Sequence, residues 1–204
     1  MDLLDNYKKA WKNQPEEASR FSAIEIYKLA QSRSSSIVKW IFIIGILEFV
    51  ALNSLYFIID ADEAYEEYKK IGLENFIYVS QTIFYIIIFF FLIKFYLNYK
   101  KISSSDSTRV LMKKIIRTRR TVRNYVLFNL VYIALFTIIV MVAEININFE
   151  DLSTKQILLF CLITFLLITV ILVVLWLFYQ LLYGFLLKKL NRNYKELAKL
   201  DSVN

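Results

Sequence analysis

Histidine is absent from this 204-residue sequence, and cysteine and proline occur once each. Without histidine, the chain lacks the commonest metal ligand and the commonest general base. The single cysteine, Cys161, excludes a disulfide within the chain. The sequence also contains no phosphate-binding loop, no G-x-S-x-G and no H-E-x-x-H motif. We therefore expect a protein that is not an enzyme, with no catalytic residues, no metal site and no cofactor.

Charged residues are scarce at 21% of the chain, whereas apolar residues make up 58%. A soluble globular domain does not have this composition. A bilayer core of ~30 Å is crossed by about 20 apolar residues in a helix. Four runs are long enough: 37–59, 76–97, 125–143 and 157–187. Because backbone groups in lipid must bond within their own segment, each run predicts a helix. The predicted fold is an all-α membrane protein, a bundle of four transmembrane helices.

The positive charges are distributed unevenly along the chain. The N-terminal arm, the middle connection and the C-terminal tail, counted together with Lys39 and Lys94 near the ends of the adjoining runs, hold 22 of the 25 Lys and Arg residues. Because such residues favour the cytoplasmic side, we predict that both termini and the middle connection are cytoplasmic. The first 36 residues are polar and charged, and no A-x-A-like cleavage site follows the first apolar run, so we expect this run to be retained as a signal anchor.

Three parts follow from this layout: a cytoplasmic arm over residues 1–36, a transmembrane domain over 37–187 and a basic tail over 188–204. The last apolar run of 31 residues would be ~46 Å long, which exceeds the bilayer. We expect it to protrude into the cytoplasm. There, helical extensions of the second and third spans would pack with it as a short stalk.

Two connections carry signals for helix ends. Ser22 and Glu25 form a capping-box pattern that predicts a helix start. The segment DADEAYEEYKKIG predicts a short outer helix that ends at Gly72. Its acidic side chains are more typical of a solvated face than of a cation site, because the spacing of a calcium loop is absent.

Polar side chains within the spans are the first candidates for a functional site. Glu48 is the one carboxylate in the middle of a span, where a charge is costly and a partner is expected. Asn53 lies near the same helix face, and Gln81, Asn129 or Thr137 could be the partner. One hypothesis is a proton or cation site. We favour the other, a protonated Glu48 that bonds a neighbouring helix, because a carrier usually has polar residues in several spans.

The arm and the middle connection offer two candidate binding surfaces. Residues 2–12 predict an amphipathic helix whose apolar stripe would bind a protein partner: Leu3, Leu4, Tyr7 and Trp11. The middle connection carries six cations that could bind anionic lipid headgroups: Lys113, Lys114, Arg117, Arg119, Arg120 and Arg123. These cations are equally explained by a role in membrane orientation alone, which we favour. No motif supports nucleic-acid binding.

The opening DNYKKAWKNQPEE, followed by IEIYKLAQSRSSSIVKWIFIIGILEF, resembles the start of a group of uncharacterised bacterial inner-membrane proteins. The resemblance covers about the first 50 residues and implies a cytoplasmic helical arm followed by four spans in that membrane. It implies no activity and no functional residues.

Together these features favour a membrane accessory, assembly or regulatory subunit that acts through its arm. One form of this hypothesis is a membrane-bound regulator that tethers a cytosolic factor, as anti-sigma proteins do, and a homo-oligomer is also possible. The alternative is a small transporter or channel subunit that uses Glu48. A lipid-modifying enzyme ranks third.

Overall fold

The computed structural model describes residues 23–55, 61–104, 107–148 and 153–203. Within these ranges the chain is helical and contains no strand. The arm residues predicted to bind a partner, Leu3, Leu4, Tyr7 and Trp11, lie outside them. The helices are α1 (Ala23–Ser54), α2 (Ala61–Lys70), α3 (Glu74–Ser103), α4 (Thr108–Ile147), α5 (Thr154–Tyr179), a π-helical segment (Gln180–Gly184) and α6 (Phe185–Val203).

Four helices are long and apolar enough to cross a membrane. They are α1, α3, α4 and the continuous helix formed by α5, the π-helical segment and α6. The prediction of an all-α chain with four candidate spans is therefore confirmed. The boundary predicted at residue 36 coincides with no break, because α1 runs through it from Ala23 to Ser54.

Helix α4 joins the basic connection to the third apolar run. Ser107 caps its first turn by accepting a hydrogen bond from the Val110 amide at 3.4 Å. The helix then continues for 40 residues to Ile147, which is ~60 Å at 1.5 Å per residue. The expected helical extension of the third span is therefore continuous with the span, since no glycine or proline interrupts the sequence.

The last helix contains two features that the sequence analysis did not predict. Ser153 and Gln156 form a capping box at its start, in which each side chain bonds the other residue's backbone amide. Further along, residues Gln180–Gly184 form a π-helical turn. Such turns are rare inside α-helices and are frequent at functional sites.

Helix α2 ends as its sequence predicts. Gly72 has a φ of +70°, a left-handed conformation that glycine adopts without strain. Its amide donates to the Lys69 carbonyl oxygen at 3.0 Å, and the Leu73 amide donates to the Tyr68 carbonyl oxygen at 3.0 Å. The ammonium of Lys70 donates to the Glu67 carboxylate, which raises the pKa of Lys70. This pairing is consistent with a solvated face rather than a cation site.

We expect Gly72→Ala to lower the free energy of unfolding by about 1–2 kcal/mol, because an L-residue is strained in the left-handed region. No atom lies within 4 Å of a Cβ added at Gly72, so the effect is conformational and not steric. Thermal unfolding in detergent measures it, with Gly72→Asn as the control because asparagine tolerates this conformation. Equal losses in both variants would contradict the conformational explanation.

The helices enclose two buried clusters that lie one above the other. Helix α1 packs along α3 and α6, and α4 packs along α3, α5 and α6. The first cluster lies among the apolar runs: Ile41, Ile88, Phe91, Leu92, Phe95, Val122, Tyr125, Tyr179 and Tyr183. The second lies where α1 starts, α3 ends and α4 and α6 extend past the apolar runs: Ala30, Val38, Ile102, Leu111, Ile115, Leu190 and Leu197. We call this second region the stalk, and the predicted packing of the helix extensions is confirmed.

Candidate functional site

Glu48 lies buried between α1 and the last helix, where both of its carboxylate oxygens accept a hydrogen bond. The hydroxyl of Tyr179 donates to Oε1 at 2.7 Å, and the hydroxyl of Tyr183 donates to Oε2 at 2.9 Å. The side chain of Glu48 is only 7% exposed, and both tyrosines are buried as well. A carboxylate bonded at both oxygens by hydroxyls joins the two helices instead of facing a solvated path.

The two tyrosines reach one carboxylate because of their spacing. Residues four apart lie on one face of a helix, and Tyr179 and Tyr183 stand at this spacing across the π-helical turn. Tyr125 of α4 lies beside them, with its ring centroid 6.2 Å from that of Tyr179 and 6.0 Å from that of Tyr183. We refer to Glu48, Tyr125, Tyr179 and Tyr183 as the Glu48 cluster.

The Glu48 cluster lies towards the basic end of the bundle. Tyr125 is the first residue of the third apolar run and follows Arg123 by two residues. Tyr183 precedes Lys188 by about 7.5 Å along its helix at 1.5 Å per residue. The sequence analysis placed Glu48 at the middle of its own run, but its contacts place it opposite residues near the basic ends of two other runs.

Gly45, one turn before Glu48, lets α1 approach α3 closely. A Cβ at this position would lie 3.1 Å from Leu92 Cδ2 and 3.3 Å from Phe95 Cδ2. The ring of Phe95 also packs edge-to-face on Tyr125, with centroids 5.4 Å apart. The absence of a side chain at Gly45 therefore permits the close packing of α1 on α3 in the same region where Glu48 bonds Tyr179 and Tyr183.

The partners that the sequence suggested for Glu48 have other bonds. Asn129 donates to the Tyr125 carbonyl oxygen at 2.9 Å, and Thr137 donates to the Ile133 carbonyl oxygen at 2.8 Å. Both bonds stay within α4. The residues that do bond Glu48 are Tyr179 and Tyr183, which the sequence analysis did not select. The sequence feature that they share is their spacing of four residues, near the basic end of the last apolar run.

The other polar candidates line a cavity in the opposite half of the bundle. Asn53 accepts a hydrogen bond from the Tyr85 hydroxyl at 2.8 Å and donates to the Phe49 carbonyl oxygen at 2.7 Å. Together with Gln81 and Asn129 it lines a cavity of about 340 Å³ between α1, α3 and α4. Among the residues that the structure describes, no charged side chain lines the cavity, and most of its wall is aromatic or aliphatic.

The six basic residues predicted to bind lipid differ in their contacts and exposure. Lys114 donates to the Lys101 carbonyl oxygen at 2.8 Å, and Arg119 donates to Asn191 Oδ1 at 2.8 Å. These two bonds help to hold α4 against α3 and α6. The remaining four, which point away from the stalk core, are exposed: Lys113, Arg117, Arg120 and Arg123.

Polar bonds hold the stalk together around its apolar core. Asn193 of α6 donates to the Ser34 hydroxyl of α1 at 3.1 Å, with both side chains buried. The Nε–H of Arg109 in α4 is shared between the two carboxylate oxygens of Asp201, each at 3.1 Å, and forms an ion pair between the start of α4 and the end of α6. The stalk is therefore a packed structure and not a set of separate extensions.

These features define an all-helical chain with four candidate membrane-spanning helices and a packed stalk at one end. Among the described residues, no three His, Cys, Asp or Glu side chains form a group that could hold a metal ion. The chain belongs to the family of the domain of unknown function DUF8845, which matches residues 24–202. Comparison with curated proteins found no match. Comparison with solved structures found none either.

Proposed function

We propose that this protein is a non-enzymatic membrane subunit that acts by contact, with its stalk and arm offered to a cytosolic partner. The observation that supports this proposal is the stalk, an ordered helical structure that extends beyond the apolar runs and could contact another protein. Its buried Ser34–Asn193 hydrogen bond links α1 to α6, and its Arg109–Asp201 ion pair links α4 to α6. Residues 1–22 of the N-terminal arm precede Ala23, the first residue of α1, and the early turns of α1 belong to the stalk.

The setting of Glu48 supports a structural role over ion transport. Both of its oxygens bond tyrosines of another helix, whereas a transported proton or cation needs an oxygen that faces a path. A hydrogen-bonded carboxylate also fixes which faces of α1 and the last helix meet. In this proposal the membrane-spanning helices have a structural role, and the stalk is the part that contacts the partner.

The first test is co-purification in mild detergent, followed by reconstitution with any partner that is found. We expect a stoichiometric partner to bind the full chain and to be lost when residues 1–22 are deleted. The deletion ends there because Ala30 and Ser34 belong to the stalk core, so a longer deletion would unfold the stalk. Leu4→Ser with Trp11→Ser tests the apolar stripe itself, and Lys8→Gln with Lys12→Gln is the matched control.

A partner that stays bound to both the shortened chain and the Leu4/Trp11 variant would contradict the role of the arm. A chain that purifies alone as an oligomer would contradict the proposal as a whole.

The proposal also requires the stalk to face the cytoplasm of a bacterial inner membrane. Reporter fusions at Lys12, Ser105 and Asn204 are expected to be cytoplasmic, and those at Glu67 and Glu150 external. The reason is the concentration of 22 of the 25 Lys and Arg residues in or beside the arm, the middle connection and the tail. An active cytoplasmic reporter at Glu67 would reverse the orientation and place the stalk outside.

The cavity beside Asn53, Gln81 and Asn129 favours one alternative, a small transporter or channel subunit. Its wall is mainly aromatic and includes the amide groups of these residues, and Tyr125 of the Glu48 cluster also lines it. Under this alternative, Glu48→Gln would abolish transport while assembly stayed intact. The purified chain would then be a partnerless oligomer.

A further inference from the structure

The first turns of α6 form a positively charged strip that the sequence analysis did not select. Arg192 follows Lys188 by four residues and Lys189 by three, and Lys195 follows Arg192 by three, spacings that bring these cations to one side of the helix. A surface cavity of about 420 Å³ lies against this strip and is lined by Phe185, Lys188, Lys189, Asn191, Arg192 and Lys195. We call this cavity the α6 basic site.

The α6 basic site has a large excess of positive charge. Arg192 contacts the Glu196 carboxylate at 3.8 Å. Within the described part of the chain, no carboxylate forms an ion pair with Lys188, Lys189 or Lys195. The bond from Arg119 of α4 to Asn191 brings a further guanidinium to the edge of the site. Because like charges this close repel each other, an anionic group among them would be stabilised.

The surface that leads to this site is suited to lipid chains. Leu181 is 79% exposed and Phe185 is 59% exposed, directly before the first lysine of the site. Contacts between membrane helices favour small residues, whereas the exposed residues of α5 are large and apolar. Acyl chains can therefore cover this face. Lys188 lies only about 4.5 Å beyond Phe185 along the helix, so the cations stand where a headgroup would follow those chains.

We propose that the α6 basic site binds the phosphate headgroup of an anionic phospholipid whose acyl chains lie along Leu181 and Phe185. The ammonium of Lys189 lies 4.3 Å from the centroid of the Phe185 ring, so the lysine spans the boundary between chain and headgroup. Phosphate oxygens accept bonds from the lysines and from Arg192. The proposal rests on the membrane placement of the spans and is independent of the protein partner.

The test is lipid retention by the purified full chain, measured by native mass spectrometry with dioleoyl phosphatidylglycerol and dioleoyl phosphatidylcholine. We expect the parent to bind phosphatidylglycerol at least tenfold more tightly. The triple variant Lys188→Gln, Lys189→Gln and Lys195→Gln should weaken that binding. At about fivefold for each charge removed, the expected loss is on the order of a hundredfold.

The matched control removes the same charge from exposed positions on α1 and α3, through Lys28→Gln, Lys39→Gln and Lys100→Gln. We expect less than a threefold loss there, and the corresponding triple Lys→Arg variant of α6 should retain binding. Equal losses in the two glutamine variants would overturn the proposal in favour of a diffuse electrostatic effect. The proposal would also be overturned if the parent retained the two lipids equally, or if inorganic phosphate at equal concentration displaced phosphatidylglycerol. The partner assay is unaffected by any of these outcomes, so failure of this proposal is distinct from failure of the proposed function.

Discussion

Glu48→Leu is expected to loosen the bundle by about 1–4 kcal/mol, because two interhelical hydrogen bonds are lost at ~0.6–2 kcal/mol each. The substitution leaves the hydroxyls of Tyr179 and Tyr183 buried without their acceptor. Glu48→Gln should be tolerated, since its amide oxygen accepts one hydroxyl and its amide nitrogen can donate to the other. Thermal unfolding in detergent measures both variants.

The triple variant Glu48→Leu, Tyr179→Phe and Tyr183→Phe is the control for this explanation. It removes the hydroxyls together with the carboxylate, so no polar group is left without a partner. We expect it to recover most of the stability lost in Glu48→Leu. If the carboxyl group and the hydroxyls contributed independently, their losses would add, and the triple variant would be less stable than Glu48→Leu. If Glu48→Leu is as stable as the parent, the carboxyl group does not make these bonds. A cellular activity that disappears in Glu48→Gln while stability is unchanged would instead support a proton or ion site.

Gly45→Leu is expected to destabilise the bundle by about 3 kcal/mol or more, through overpacking at the contact between α1 and α3. A Cβ alone would meet Leu92 and Phe95 at 3.1 and 3.3 Å, so the larger side chain must push the helices apart. Separation of α1 from α3 would also draw Glu48 away from the tyrosines. Gly45→Ala should cost much less, because Leu92 and Phe95 need to shift by only a few tenths of an ångström.

Gly184→Ala is the matched control, since it adds a Cβ to a glycine near the same cluster. The neighbouring atoms there belong to the flexible end of the Gln180 side chain, the nearest at 3.0 Å, and that side chain can move. We expect a change of less than about 1 kcal/mol, within the usual range for substitutions without a buried clash. Melting temperatures in one detergent compare the three variants. A Gly45→Leu variant as stable as Gly184→Ala would show that α1 and α3 do not pack this closely.

The proposed regulatory role and the proposed lipid site use different surfaces of the stalk. The arm enters at Ala23 on α1, whereas the α6 basic site lies on Lys188, Lys189 and Lys195. An anionic lipid at that site would hold the stalk against the membrane surface through α6. A protein partner bound by the arm would then meet a stalk of fixed orientation.

The sequence by itself determined the four apolar helices, because a bilayer leaves few alternatives for a run of about 20 apolar residues. Local signals were also sufficient for helix ends, such as the end of α2 at Gly72, whose left-handed backbone depends on the residue type alone. The unbroken helix from the basic connection into the third span followed in the same way. Each of these features depends on neighbours within one or two turns.

The partners of Glu48 were decided only by the tertiary structure. Tyr179 and Tyr183 lie 131 and 135 residues further along the chain, and no local pattern relates them to a carboxylate on α1. Lengths and charges of the apolar runs do not fix how far one helix is shifted along another. That shift depends on side-chain packing, including the close approach at Gly45, and on the π-helical turn at Gln180–Gly184. For this reason Glu48, at the middle of its own run, meets residues near the basic ends of two others.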